Sequence, residues 1–305
     1  MGRNFFQAMA RIKQNFIYRI NTLQQARRVR IIIFSFMSAL ALASALISCT
    51  PKITTENPEK VLGIILPHHL LVEHFIDQFY TQFASRDVEH IILLSPNHFN
   101  YGYHYAQTTN QLFPTILNTP PLNLAWISTL STHSPLAIEP KKFGKEHGIT
   151  THLFFLHHYF PQADVTPIIL KTQTPQSVLD LLRDQLIQFD LSKTLIVASI
   201  DFTHYESEKI ALENDNQTIE WLKSVQPQSF SLEDLTNLAH SPGEFSPDAV
   251  AMDSPESLYL LLKLLEAKQA LHFSLWKRTS STSLGDAKNP LDNTSHIFGI
   301  FQFLR

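Results

Sequence analysis

The chain predicts an α/β fold, a mixed, largely parallel central sheet between helical layers. Three observations carry that expectation. Val61–Leu66, Ile91–Leu94 and Leu195–Ser199 are short, nearly continuous aliphatic runs, the pattern of parallel strands covered on both faces. Between the first two, Leu70–Arg86 repeats Phe75, Phe79 and Phe83 every fourth residue, with Ile76 and Tyr80 alongside, as one face of a helix does. Each run then stops in a polar break carrying histidine: His68 and His69, then His98, then His204 behind Asp201. His68 and His98 are 30 residues apart, the length of a βαβ unit, which puts both at one sheet edge. Ligands in open α/β sheets collect beyond the carboxyl ends of the strands. His68, His98 and His204 are therefore expected to converge.

The other elements follow in order. Residues 50–60 are a polar, proline-containing tether. Residues 99–145 are loop-rich and long enough to form a wall or lid over the site. Glu146-His147-Gly148-Ile149-Thr150-Thr151-His152 leads into an apolar run to Leu156 and the pair His157-His158. Val165–Leu170 reads as a strand whose Pro167 disfavours a central hydrogen-bonding position. Thr174 and Pro175 suit an N-cap and first helical position for a helix to about Phe189. Helices are expected near Glu206–Val225 and from a Ser231 cap to Leu238, with a loop over 240–250. Ser254 and Pro255 open an apolar helix through Lys268. Two final strands, Leu271–Thr279 and Ser295–Phe303, are expected to pair antiparallel around a polar loop. No internal repeat is present.

An apolar content of 44% excludes a disordered chain. The net charge of −3 conceals an asymmetry: residues 1–49 hold seven Lys/Arg and no acid, which leaves 17 bases against 27 acids beyond them. Such an acidic body argues against a nucleic-acid partner. In the head, basic residues up to Arg30 precede the uncharged run Ile31–Ser48, which keeps the basic flank cytoplasmic. The run ends Leu46-Ile47-Ser48-Cys49, similar to a bacterial lipobox in which the cysteine becomes a lipidated N-terminus. The competing reading is an uncleaved single-pass anchor, since 18 residues are about enough to span. Both readings tether the body to a membrane on its extracytoplasmic face. Cys49 is the only cysteine, so a metal in the body must be held by histidine, carboxylate or thioether.

One histidine after a strand is usually structural, but three at matching offsets point to a ligand site. Neutral imidazole is the commonest protein metal ligand, and an open histidine site suits Fe, Cu or Zn. A ligating histidine needs an acceptor on its other ring nitrogen, a role open to Asp201 and Glu146.

The ordered motifs PHH, SPNH, EHGITTHL, SIDFTHY and MDSPES, over residues 60–303, resemble the Memo family, which includes AmmeMemoRadiSam system protein B. The resemblance implies an α/β sandwich similar to class III extradiol dioxygenases. It places the family's metal histidines on His68 and His98, its third histidine on His204 and its aspartate on Asp201. The family's metal-site cysteine falls on Met252, and Asp253 beside it offers a carboxylate instead. Thr150 stands where the family has a second acid, while Glu146, His147 and His152 keep their places. His152 is either a pocket residue or a core histidine; His69, His157 and His158 are structural or exposed.

The function so implied is a membrane-tethered protein with one Fe or Cu ion, or Zn, on His68 and His98. His204 is a third ligand or acid/base oriented by Asp201, Glu146 is a further catalytic residue, and the chemistry is metal-dependent redox. The alternative is a non-catalytic metal- or peptide-binding protein with a degenerate site. A protein partner within the AmmeMemoRadiSam system is expected; oligomeric state is not legible.

Overall fold

The computed structural model describes residues 61–111, 118–243, 246–289 and 292–303. The basic head, apolar run, Cys49 and tether expected over 1–60 lie outside the described residues. Among the described residues, no helix is long and apolar enough to cross a membrane.

The strands are β1 (Val61–Leu66), β2 (His90–Pro96), β3 (Ala106–Thr108), β4 (Leu136–Ile138), β5 (Asp164–Leu170), β6 (Thr194–Ser199), β7 (Phe202–His204), β8 (Val250–Met252), β9 (His272–Ser280) and β10 (Ser295–Gln302). The helices are α1 (Glu73–Thr81), α2 (Leu124–His133), α3 (His147–Tyr159), α4 (Gln176–Leu186), α5 (Glu208–Ser224), α6 (Leu232–Leu238) and α7 (Pro255–Ala267). One sheet runs β4-β3-β5-β2-β6-β1-β10-β9, and β7 pairs with β8 apart from it. The central strands β5, β2, β6 and β1 are mutually parallel, and β10 and β9 close one side antiparallel. This is the mixed, mostly parallel sheet between helices that the aliphatic runs require.

Two-residue alternation gives each central strand two buried faces. In β2, Ile92 and Leu94 enter the core beneath α4 and α7, while Ile91 and Leu93 enter the core beneath α1 and α3. Each such side chain contributes about 1.5–3 kcal/mol on burial. Gly63 of β1 lies so close to α7 that a Cβ there would stand 2.9 Å from methyls of Leu261 and Leu265.

Parallel order brings the carboxyl ends of β1, β6 and β2 side by side. His68 follows β1, Asp201 follows β6 and His98 follows β2. Although β1 and β2 are joined by one crossover, β6 is inserted between them.

Several boundaries differ from the sequence expectation. Leu70–Val72 forms a 3-10 turn, and α1 starts only at Glu73. Residues 99–145 contain β3, α2, β4 and a 3-10 turn at Pro140–Lys145. Three-residue strands are too short to show a period, and α2 is started by Asn123, whose side chain accepts from Trp126 N. Pro175 occupies the N-cap of α4, not its first position, and makes no side-chain cap. The strand β8 starts at Val250, the last residue of the loop expected over 240–250, because Val250 and Met252 pair with His204 and Phe202.

Pro167 sits in a strand flanked on both sides, β3 and β2. Val165 N–H points away from β2, to Pro121 O at 2.8 Å, so two residues on the nitrogen of Pro167 points the same way. The β3 ladder reaches only Ile169 and Leu170. The missing donor therefore falls beyond that ladder, and Pro167 O is satisfied by Thr108 Oγ1 at 2.7 Å.

A polar cluster ties α5 to the C-terminal hairpin. Arg278 Nε donates to Asp215 Oδ2 at 2.7 Å and its Nη1 to Glu208 Oε1 at 2.5 Å. Asp215 Oδ1 also accepts from Ser295 Oγ at 2.8 Å and Thr203 Oγ1 at 3.2 Å. Thr203 is the neighbour of His204, so this cluster fixes the strand that carries it.

Candidate metal centre

His68, His98 and His147 each bring a ring nitrogen within 4.8 Å of the other two, and this three-histidine cluster could hold a metal ion. His68 comes from the end of β1, His98 from the end of β2, and His147 from the first turn of α3. The rings of His98 and His147 stack at 3.9 Å, and His68 stands edge-on to both at 4.9 Å.

Glu146 shapes one side. It is the N-cap of α3, with Oε1 accepting from Gly148 N at 3.3 Å. The same oxygen takes His98 Nδ1 at 2.5 Å, and Oε2 takes the His98 backbone N–H at 3.0 Å. The buried carboxylate therefore fixes both the loop and the ring, and leaves His98 Nε2 facing inward. Gly148 is required for packing here: a Cβ would come 2.1 Å from Ser95 Oγ and 3.5 Å from His68 Nδ1.

Asp201 shapes the other side. Its Oδ1 accepts the His68 backbone N–H at 3.1 Å, and Oδ2 lies 3.4 Å from His68 Nε2. Its carbonyl accepts from Asp253 N at 3.1 Å, which ties the start of α7 to the same corner. Asp201 was expected to orient His204; its side-chain hydrogen bond goes to the His68 backbone, because β6 pairs with β1 and delivers Asp201 beside that loop.

Asp253 completes the arrangement. Its Oδ2 lies 3.3 Å from His68 Nε2 and 3.6 Å from His98 Nε2. Neither approach has hydrogen-bond alignment, and both carboxylate oxygens are buried without a hydrogen-bond partner. A buried carboxylate in that state is costly unless a cation satisfies it. Met252, the other candidate for the cysteine position, packs in the hydrophobic core with Phe202.

The electrostatics agree with a cation-seeking pocket. Burial lowers the pKa of His98, but the nearby carboxylates of Asp253 and Glu146 overrule it and hold the ring up at about 10. His68 is likewise raised, against burial, by Asp201 and Asp253. Burial raises Asp253, yet His68 and His98 bring it below the ordinary carboxylate range. His147 is pushed down to about 4 by burial and by the charges of His98 and His68.

His204 stands outside the three-histidine cluster. Its Nδ1 is buried without a partner, and burial lowers its pKa against the charges of Asp201 and Asp253. His152 is fully buried below the site, and burial holds it neutral with a pKa of about 3. His69 Nδ1 pairs with His296 Nε2 at 3.1 Å. His158 is exposed on α3 and His157 partly so. His147 was missed as a site residue by strand-end reasoning, since it starts a helix; its adjacency to the capping Glu146 was the available signal.

A family model described as Memo-like protein matches residues 38–288. Among curated relatives, a MEMO1 family protein of Nitrosopumilus maritimus is 27% identical over 180 residues, covering 57% of this chain and 65% of its own length. That of Caldivirga maquilingensis is 25% identical, covering 57% and 64%, and one of Thermotoga sp. strain RQ2 is 29% identical, covering 45% and 50%. The chain thus spans less than two thirds of the length of the relatives it matches. A crystal structure of an uncharacterized protein from Escherichia coli K12 matches with a TM-score of 0.51 at 12% identity. It covers 79% of this chain and 100% of that one, a likeness of fold alone.

Proposed function

The chain belongs to the Memo-like family, and on that premise we propose that it is a membrane-tethered metalloprotein with one metal ion on His68, His98 and Asp253, and His147 at the rim. The observation that carries this reading is the buried carboxylate of Asp253, which makes no hydrogen bond and faces His68 Nε2 and His98 Nε2 at 3.3 and 3.6 Å. With Met252 in the core, Asp253 takes the place of the family's cysteine. A two-histidine, one-carboxylate set favours Fe(II), with Cu next and Zn third.

When bound, such an ion supplies redox chemistry at an open position. The protein's own residues do the rest. Glu146 and Asp201 hold the His98 and His68 rings. His204, kept neutral by burial, accepts or returns a proton as general acid/base. The head supports the rest of the reading: residues 1–49 export the Memo-like body, 61–305, and anchor it through lipid on Cys49 or through the apolar run itself. The partner is then another protein of the AmmeMemoRadiSam system.

Elemental analysis of the purified protein beside a His68→Ala/His98→Ala double variant tests the centre. About one metal per chain in the first and none in the second is expected; an empty protein after exposure to Fe, Cu and Zn refutes it. The same metal content with no turnover favours the non-catalytic binding role. Incorporation of labelled fatty acid that Cys49→Ser abolishes identifies the lipoprotein, and retention of the uncut head identifies the anchor.

A further inference from the structure

A line of hydrogen bonds leads from the centre into the core beneath it. His68 Nδ1 is 2.9 Å from Ser199 Oγ, Ser199 Oγ is 3.1 Å from His152 Nε2, and His152 Nδ1 is 3.2 Å from the Tyr80 hydroxyl. His68 is 2% exposed and the other three are fully buried. They come from β6, α3 and α1. Ser199, His152 and Tyr80 contribute no atom to the candidate metal set.

We propose that Ser199, His152 and Tyr80 are positioning residues that fix the ring of His68 so that its Nε2 is offered to a metal. The proposal rests on the metal reading above. A histidine that ligates through Nε2 must carry its hydrogen on Nδ1 and needs an acceptor there. His68 Nδ1–H then donates to Ser199 Oγ, the Ser199 hydroxyl donates to His152 Nε2, and His152 Nδ1–H donates to the Tyr80 oxygen. Each internal member gives one hydrogen and takes one, so the direction at one end dictates the direction at the other. Apolar residues would serve packing as well, because a buried polar group left unpaired costs about 1–3 kcal/mol. A polar line at this depth instead specifies one tautomer and one ring angle.

The line is a clamp and not a proton path. Tyr80 is fully buried against Phe155, Tyr159 and Phe160. Among the described residues, no hydrogen bond leads from its hydroxyl to the surface. A proton held here has nowhere to go, and what is set is geometry.

Ser199→Ala and Tyr80→Phe in the full chain test this, with Fe(II) and Zn(II) affinity measured by chelator competition. Ring-nitrogen NMR of the metal-free and zinc-loaded protein is the second readout. Wild type should show the His152 hydrogen on Nδ1. Ser199→Ala should bind either metal about 10–100-fold more weakly, and Tyr80→Phe a few-fold more weakly, with metal-free melting temperatures lowered by several degrees while both variants stay folded. Tyr80→Phe keeps the ring and serves if Ser199→Ala does not fold. Affinities within two-fold of wild type in both variants, or a His152 hydrogen on Nε2, overturn the clamp while leaving the metal reading intact. A wild type that binds neither metal overturns both.

Discussion

Replacing Arg278 with methionine should destabilise the fold by about 3 kcal/mol at pH 7 without touching the candidate centre. Methionine keeps the length of the side chain and removes the guanidinium. The three groups of the cluster differ in exposure: Asp215 exposes none of its side chain, Arg278 13% and Glu208 32%. Stranding one member of a buried ion pair costs about 3–5 kcal/mol, and the lower end applies because Glu208 can turn to water. Asp215 keeps only Ser295 and Thr203 as donors. Burial already pushes its carboxyl up, with Arg278 as the main opposing influence. Without Arg278 the folded-state pKa rises further. An acid raised in the folded state destabilises above its unfolded pKa of about 3.9, so the loss should grow as pH rises from about 4. Urea denaturation of both proteins at pH 5 and pH 7 measures it. Adding Asp215→Asn to the Arg278→Met background should restore part of the loss at pH 7. A loss under about 1 kcal/mol, or one equal at both pH values, would refute the view that Asp215 is an ion that needs its partner.

Three further outcomes follow from the geometry. Glu146→Gln should weaken metal binding about 10–100-fold, since one carboxylate holds both the ring and the backbone of His98; chelator competition reading wild-type affinity would remove that role. Gly148→Ala should cost about 1–3 kcal/mol by overpacking, because the new methyl meets Ser95, and unchanged stability would show that α3 can slide. His296 is held at a pKa of about 3 by burial, so below about 6.5 the unfolded chain takes a proton that the fold refuses. Stability is present above that pH and lost as pH falls towards 3, by about 1.4 kcal/mol per unit. Between pH 7 and pH 5, wild type should therefore lose about 2 kcal/mol more than His296→Gln, and parallel losses would count against a buried neutral ring.

The fold class was legible because unbroken aliphatic strands occur only where both sheet faces are covered. The convergence of His68 and His98 followed from one βαβ length and the common direction of parallel strands. What stayed hidden depended on three-dimensional adjacency. Inserting β6 between β1 and β2 places Asp201 against His68, and no spacing in the chain reports strand order. Short elements such as β7 and β8 carry too few residues to show a period. The choice between Met252 and Asp253 turned on a strand pairing: Met252 lies opposite Phe202 and faces the core, so its neighbour faces the histidines. Family resemblance supplied the motifs, but Ser199, which opens SIDFTHY, reads there only as the end of a strand, and Tyr80 lies in a stretch that reads simply as helix.

The tight seating of Gly63 under Leu261 and Leu265 also bears on kinetics. It presses β1, which leads into His68, onto the helix that Asp253 precedes, so these two groups are carried by closely packed elements. His98 follows β2 and His147 opens α3; Glu146 ties these two together, and ring contacts with His68 join them to those elements. An ion held between them would meet one side that moves only as a block, so its release would follow displacement of the His98 side.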